Sequence, residues 1–267
     1  MMGTDLPNKP LVEALLEIKW GPAAGTAQML GSGWSDPNYP VFLGIFYNAI
    51  KNEFPVIEDQ PAKQLPDMIS PGMVKTRFRA VAGGWPVVQA GPGILSVNFT
   101  SSYTWSLFQP TALKVVASFL EAYTSAGTIG PPKLTSALLR YIDGIETAEF
   151  QAMDTLTFVR DKLHVGIDLP DEIHKGAWIG GPLSSLDLRL AIPLVQPKGR
   201  GNLRVATGQK EGKPAILCDT SVLSRNQDTP QTVEDLEGWL EQSHVIVMAW
   251  FESMVKGDLM ELFGRSQ

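Results

Sequence analysis

The sequence predicts an α+β fold of two similar lobes, each an antiparallel sheet packed by one long helix. Three observations carry this. Short apolar–polar alternating runs cluster in two groups, each punctuated by Gly and Pro turns. Each group ends in a long stretch with apolar residues at helical spacing. Between them, Thr124–Pro132 (TSAGTIGPP) has the composition of a linker.

In chain order, Leu11–Trp20 (LVEALLEIKW) predicts a strand with Val12, Leu16 and Ile18 inward and Glu17 and Lys19 outward, ended by Gly21-Pro22. Gly25–Pro40 and Pro61–Pro71 are expected loops. Val41–Phe54 carries Phe42, Ile45, Phe46, Ala49 and Ile50 at helical spacing, with Pro55 just beyond. Lys75–Ala82, Pro86–Ala90 and Gly93–Phe99 read as a three-stranded meander. Pro110-Thr111 is expected to open a helix with Leu113, Val116, Leu120 and Tyr123 inward.

The order then recurs. Leu134–Ile145 takes the place of the first strand, and short helical pieces follow. Leu163–Leu169, Leu186–Leu194, Asn202–Ala206 and Ala215–Val222 are expected strands. Thr232, with Asp235 three residues on, has capping-box spacing at the start of a long helix. Its stripe is Val233, Leu236, Leu240, Val247, Phe251 and Met254. The lobes are therefore bounded at 9–126 and 133–264. The recurrence is one of pattern, not of residue identity, so an internal duplication and a chance match of two α+β patterns account for it equally.

Composition narrows the function classes. The 267 residues carry a net charge of −6, against a surface made for nonspecific nucleic-acid binding. No apolar run approaches the ~18 residues of a membrane span, and no basic n-region with an h-region opens the chain. One cysteine, Cys218, allows neither an internal disulfide nor a Cys-rich zinc site. A cytoplasmic, reducing setting and no membrane partner are the expectation.

Four motifs occur in order: Pro10-Leu11-Val12-Glu13-Ala14; Gln89-Ala90-Gly91-Pro92-Gly93-Ile94-Leu95-Ser96-Val97-Asn98; Trp105 followed by Phe108; and Leu139-Arg140-Tyr141-Ile142-Asp143-Gly144-Ile145. With a long C-terminal helix ending near Leu262-Phe263, they resemble a sporadically distributed, uncharacterised bacterial and archaeal protein family of about this length. The family pattern continues Arg-Tyr-Ile with Asn, where this chain has Asp143. The resemblance implies transfer between genomes, often alongside defence systems. It implies no activity, cofactor or catalytic residue. Its motif residues are Glu13, Gln89, Gly91, Asn98, Arg140 and Tyr141.

Motifs of known chemistry are not evident. His164, His174 and His244 have no metal-ligand spacing. His164 is expected in a strand, His174 in a loop, and His244 packs beside the last helix's stripe. Cys218 reads as a buried apolar residue. Gly31-Ser32-Gly33 lacks the nucleophile-elbow pattern, and Gly199-Arg200-Gly201 lacks the dinucleotide fingerprint. The acidic pairs Glu58-Asp59, Asp171-Glu172 and Glu234-Asp235 are expected in loops or first helical turns. No cofactor or metal is expected.

Charge placement points to a partner. From Arg189 to Lys213 there are six bases (Arg189, Lys198, Arg200, Arg204, Lys210, Lys213) and one acid, Glu211, a net of +5. The span from Val233 to Gln267 has seven acids and two bases, a net of −5. Arg189, Lys198, Arg200, Arg204 and Lys210 form the candidate binding patch for a protein, or for nucleic acid through the Arg189–Lys213 segment. Arg77, Arg79 and Arg140 are a second basic group, and Asp143 and Glu13 are the candidate partners of Arg140. Trp34, Trp85 and Trp178 sit beside Gly, Pro or Ser, where aromatics anchor partners or cap sheet ends.

The expected function is a non-enzymatic binding or regulatory protein of a prokaryotic defence or toxin-neutralising system. The alternative is an RNA-binding endonuclease resembling CRISPR RNA-processing proteins. A third reading is a pocket protein holding a small ligand between sheet and helix.

Overall fold

A computed structural model of the chain describes residues 6–21, 36–70, 72–100, 102–127, 130–147 and 153–264. Among the described residues nine strands form one antiparallel sheet: β1 (Leu11–Trp20), β2 (Val56–Asp59), β3 (Thr76–Arg79), β4 (Val87–Gly91), β5 (Ile94–Phe99), β6 (Leu134–Glu146), β7 (Asp187–Val195), β8 (Lys198–Lys210) and β9 (Lys213–Arg225). Their order is β2-β3-β4-β5-β1-β6-β9-β8-β7. The fold is α+β, but the two expected sheets are one. β1 and β6 pair from Leu11↔Asp143 to Trp20↔Leu134, so neither central strand is left with an open edge. Outward from that pair the order is β5, β4, β3, β2 on one side and β9, β8, β7 on the other.

The helices are α1 (Tyr39–Ile50), α2 (Trp105–Ser125), α3 (Thr155–Asp161), α4 (Asp171–His174), α5 (Val233–Val255) and α6 (Asp258–Gly264). Strand alternation sends Ala14, Leu16, Ile18 and Trp20 of β1 and Leu139 and Tyr141 of β6 into the main core, against α1, α2 and the first half of α5. A second apolar cluster joins Ile145, Val205 and Cys218 to α3, α6 and the end of α5. Val12, expected inward, is 37% exposed, because a register shift between Leu11 and Glu13 bulges it out of the ladder.

Several elements differ from the sequence expectation for identifiable reasons. Thr104, not Pro110, starts α2: its Oγ1 accepts from Leu107 N at 3.3 Å. Pro110 is carried inside the helix, where it forgoes one intrahelical bond. The buried face is then Phe108, Ala112, Val115, Val116, Phe119, Ala122 and Tyr123, with Leu113 and Leu120 only partly buried beside it. Ile45 and Ala49 of α1 face outward. Glu58 and Asp59, expected in a loop, belong to β2, which pairs with β3.

Leu163–Leu169 is not a strand. Its apolar residues Leu163, Val165 and Ile167 pack on the second cluster without joining the sheet, and His164 sits at φ 52°. The C-terminal helix is divided at Lys256-Gly257. Gly257, at φ 81°, reverses the chain so that Leu259 and Phe263 of α6 are buried. Thr232 does cap α5, its Oγ1 accepting from Asp235 N at 3.1 Å.

Candidate functional site

The motif residues divide between the two faces of the sheet. On the face away from α1, α2 and α5, Arg77 Nε donates to Gln89 Oε1 at 2.8 Å. Gln89 Nε2 donates to Asn98 Oδ1 at 3.0 Å, and Asn98 Nδ2 donates to Glu13 Oε1 at 2.8 Å. Ser96 Oγ also donates to Asn98 Oδ1, at 2.8 Å. Asn98 is 3% exposed, so this closed network cross-links β3, β4, β5 and β1 rather than offering groups to a ligand. Gly91 is needed for its backbone: a Cβ there would lie 1.9 Å from Met73 O.

Arg140 lies on the same face and grips Asp219 of β9 with two bonds, Nε–Oδ1 at 2.9 Å and Nη2–Oδ2 at 2.5 Å. Asp219 holds its pKa up, and the charges of Glu13 and Glu17 add to this. Asp143, expected as a partner, cannot reach it. Three residues on, Asp143 lies on the opposite face, where it lines a pocket with Tyr141.

The five patch residues do not converge. Arg204 and Arg189 both bind Asp187: Arg204 Nε–Oδ1 is 2.8 Å and Arg189 Nη2–Oδ2 is 2.8 Å. Those bonds hold the Asp187 carboxyl well below the usual range. Lys198 and Arg200 are at the β7–β8 turn, whereas Lys210 is at the far end of the 13-residue β8, roughly 40 Å away. That is several Debye lengths. Lys213 is paired with Glu146 at 3.1 Å.

His164 Nε2 meets Lys256 O at 3.0 Å, and His174 lies against Pro170 O at 3.1 Å. The Arg79 guanidinium sits 5.3 Å from the Trp85 ring centroid, and Trp178 is 75% exposed. Trp34 and Gly31-Ser32-Gly33 lie outside the described residues. No helix among the described residues is long and apolar enough to cross a membrane. Nor do they include a group of three His, Cys, Asp or Glu side chains able to hold a metal.

The other face of the central strands carries the strongest candidate. A cavity of ≈ 100 Å³ lies between β6, β9 and α5, with Leu6–Leu11 and the start of α2 contributing to its wall. That N-terminal segment is fixed by Asn8 N donating to Phe263 O at 3.0 Å and Gly144 N donating to Pro10 O at 2.9 Å.

Aromatic side chains form one wall. The Trp105 and His244 rings are stacked, with centroids 3.8 Å apart and planes at 3°. Tyr103 meets Tyr141 edge to face at 5.5 Å. The phenol oxygens are 2.6 Å apart, and Tyr141 Oη is 3.1 Å from His244 Nδ1. Burial drops the His244 pKa to about 4, so its ring is neutral at pH 7. With Nδ1 as acceptor, the chain runs from Tyr103 O–H to Tyr141 O–H to His244.

The floor is different. β6 places Tyr141 opposite Thr220 and Asp143 opposite Cys218. Thr220, 1% exposed, has a buried Oγ1 with no hydrogen-bond partner. Asp143 is 5% exposed, and its carboxyl takes no hydrogen bond within the described residues. Burial pushes that carboxyl up to about 7, with the Lys210 charge opposing the rise. Burial first, and Asp143 second, push the Cys218 thiol far above its ordinary value.

No protein-family model matches the chain, and no curated protein does. The pocket therefore has to be read from its own chemistry. The motifs contain Tyr141 and Trp105 without implying a common site, and the helical stripe of α5 predicts only packing for His244. One signal was present: in LRYIDGI, alternation puts Asp143 on the same inward face as Leu139 and Tyr141, an acid where the pattern is otherwise apolar.

Proposed function

We propose that this protein acts by binding, and that its recognition site is the pocket between β6, β9 and α5. The observation that carries this is the pair Asp143 and Thr220, which line one cavity: Thr220 Oγ1 is buried with no hydrogen-bond partner, and the nearly buried Asp143 carboxyl accepts none among the described residues. An unsatisfied buried group costs about 1–3 kcal/mol. It is well explained where a ligand supplies the missing bond.

The groups around the cavity favour binding over catalysis. Burial leaves His244 a weak base, at about 4, where a general base is best matched to the working pH, and the Cys218 thiol is held protonated, where a nucleophile must ionise. The pocket adjoins the β1–β6 seam, where segments 9–126 and 133–264 meet. Apart from the edge strand β2, the strand order on either side of that seam matches, which supports an internal duplication over a chance match of two patterns. A regulatory, defence or toxin-neutralising role rests on the motif resemblance alone. The separated basic residues of β7 and β8 give an RNA-cleaving reading less support.

The test is a fragment screen by NMR, read on the indole N–H of Trp105. Wild type is compared with Met248→Trp, which places a large ring at a half-buried position of the pocket wall. At least one ligand class should bind wild type and lose about tenfold or more in affinity in the variant. If no fragment binds, or binding is indifferent to Met248→Trp, the pocket is not the recognition site.

A further inference from the structure

We infer that the ligand group taken by this pocket is an organic cation, a primary ammonium or guanidinium on a short apolar stem, with Asp143 as its counter-ion and Thr220 Oγ1 as a second acceptor. The inference rests on the pocket being the recognition site and adds its chemical class. It starts from what the floor lacks. Asp143 presents two carboxylate oxygens and Thr220 two hydroxyl lone pairs, and neither receives a donor from the described residues. An ionised carboxylate only accepts, so its ligand brings N–H or O–H groups.

Charge selects among donors. A neutral alcohol or amide would satisfy hydrogen bonds but leave the buried carboxylate uncompensated. An ammonium or guanidinium forms charge-assisted bonds, about twice as strong. Trp105, Tyr103 and Tyr141 line the same cavity, and a ring face attracts a desolvated cation.

The other charged and titratable groups facing Asp143 do not replace the ligand. Lys9, in the N-terminal segment, turns its Nζ to Tyr103 O at 2.8 Å. Lys210 of β8 acts on Asp143 only through its field. His244 of α5 is neutral, and Tyr141 and Cys218 keep their protons. A cavity of ≈ 100 Å³ takes the cationic head and a few carbons, against Leu11, Val247 and Met248. The rest of the molecule, whether a free amine or a peptide bearing Lys or Arg, lies outside.

The test is titration of the whole chain with n-butylammonium, 1-butanol and butyrate, which share a shape and differ in charge. N-acetyl-lysinamide and N-acetyl-argininamide are the peptide arm. Near pH 8, butylammonium should bind at least about tenfold more tightly than butanol, and butyrate should not bind. Affinity should fall about tenfold per pH unit as Asp143 protonates below about pH 7. Asp143→Asn should weaken butylammonium about tenfold or more without changing butanol, and Thr220→Val should weaken it about threefold. If an amino-acid amide binds more tightly than butylammonium, a partner's side chain is the source; if it binds tenfold more weakly, a free amine is.

Equal binding of butanol and butylammonium, both shifting the Trp105 signal, would overturn the charge assignment while leaving the pocket as a binding site. Undiminished butylammonium binding by Asp143→Asn would overturn it too. So would failure of every cation to bind, and the fragment screen then decides the fate of the pocket separately.

Discussion

Asp143→Asn should stabilise the protein by about 2–4 kcal/mol above pH 8 and change its stability little below about pH 4. In the folded chain burial holds the Asp143 carboxyl at about 7, whereas an unfolded Asp titrates near 3.9. Between those values the native state keeps a proton that the unfolded state has lost. Stability therefore falls as pH rises from about 4 to about 7, by up to ~1.4 kcal/mol per unit, and levels off above. Asn is nearly the same size as the neutral acid and does not titrate, so the variant escapes that fall. His244 works in the opposite sense: its folded value of about 4 makes stability decline as pH drops from about 6.5 to 4. That contribution is shared by both proteins and cancels in their difference. Urea denaturation of the pair at the two pH values measures the effect, and parallel behaviour at both would contradict it. A residue that costs stability in the free protein and gains it back with a ligand is a common mark of a functional position.

Phe119→Ala should cost about 3–5 kcal/mol. Phe119 is fully buried, and its ring centroid lies 4.5 Å from that of Trp20, 5.4 Å from Phe42 and 5.8 Å from Tyr123. The cluster joins β1, α1 and α2, and it surrounds a buried polar clamp. Trp20 Nε1 donates to Asp36 Oδ2 at 2.7 Å, and Tyr123 Oη donates to Asp36 Oδ1 at 2.9 Å. Loss of the ring opens a cavity beside a carboxylate that needs both donors, so local collapse cannot offset the loss cheaply. Equilibrium denaturation checks this; a cost below about 1.5 kcal/mol would mean that the site repacks.

Much of this fold is legible in the sequence because its signals are local. The alternation of Leu11–Trp20 and Leu134–Ile145 predicts the two central strands, and Thr232 with Asp235 predicts the cap of α5. What is not legible depends on distant partners. Nothing in Leu11–Trp20 says that it pairs with β6 as well as β5, so two sheets were expected where one exists. Leu163–Leu169 has strand-like alternation, but its apolar residues pack beneath a helix instead of pairing. Pro110 suggested a helix start because the earlier cap, Thr104, precedes a motif aromatic rather than an obvious apolar stripe.

The site follows the same division. Arg140 was noticed, but its partner Asp219 is 79 residues away. The basic span begins two residues after Asp187, whose single carboxylate pairs with two of its members, Arg189 and Arg204. The pocket needs the β6–β9 register, since only that pairing sets Thr220 beside Tyr141 and brings both near Asp143. It also needs α5 to stack His244 on Trp105, residues 139 positions apart in the chain. The local clue, an acid on the inward face of β6, gains meaning only once those partners are in place.

The most direct test of the account is the ionisation of Asp143 itself. Its carboxyl ¹³C shift can be followed against pH, assigned by comparison with Asp143→Asn, without ligand and then with saturating n-butylammonium. The account predicts a midpoint at about 7 in the free protein that falls by roughly one pH unit or more when the cation is bound. A midpoint in the ordinary carboxylate range, or one that saturating amine leaves unmoved, would contradict it.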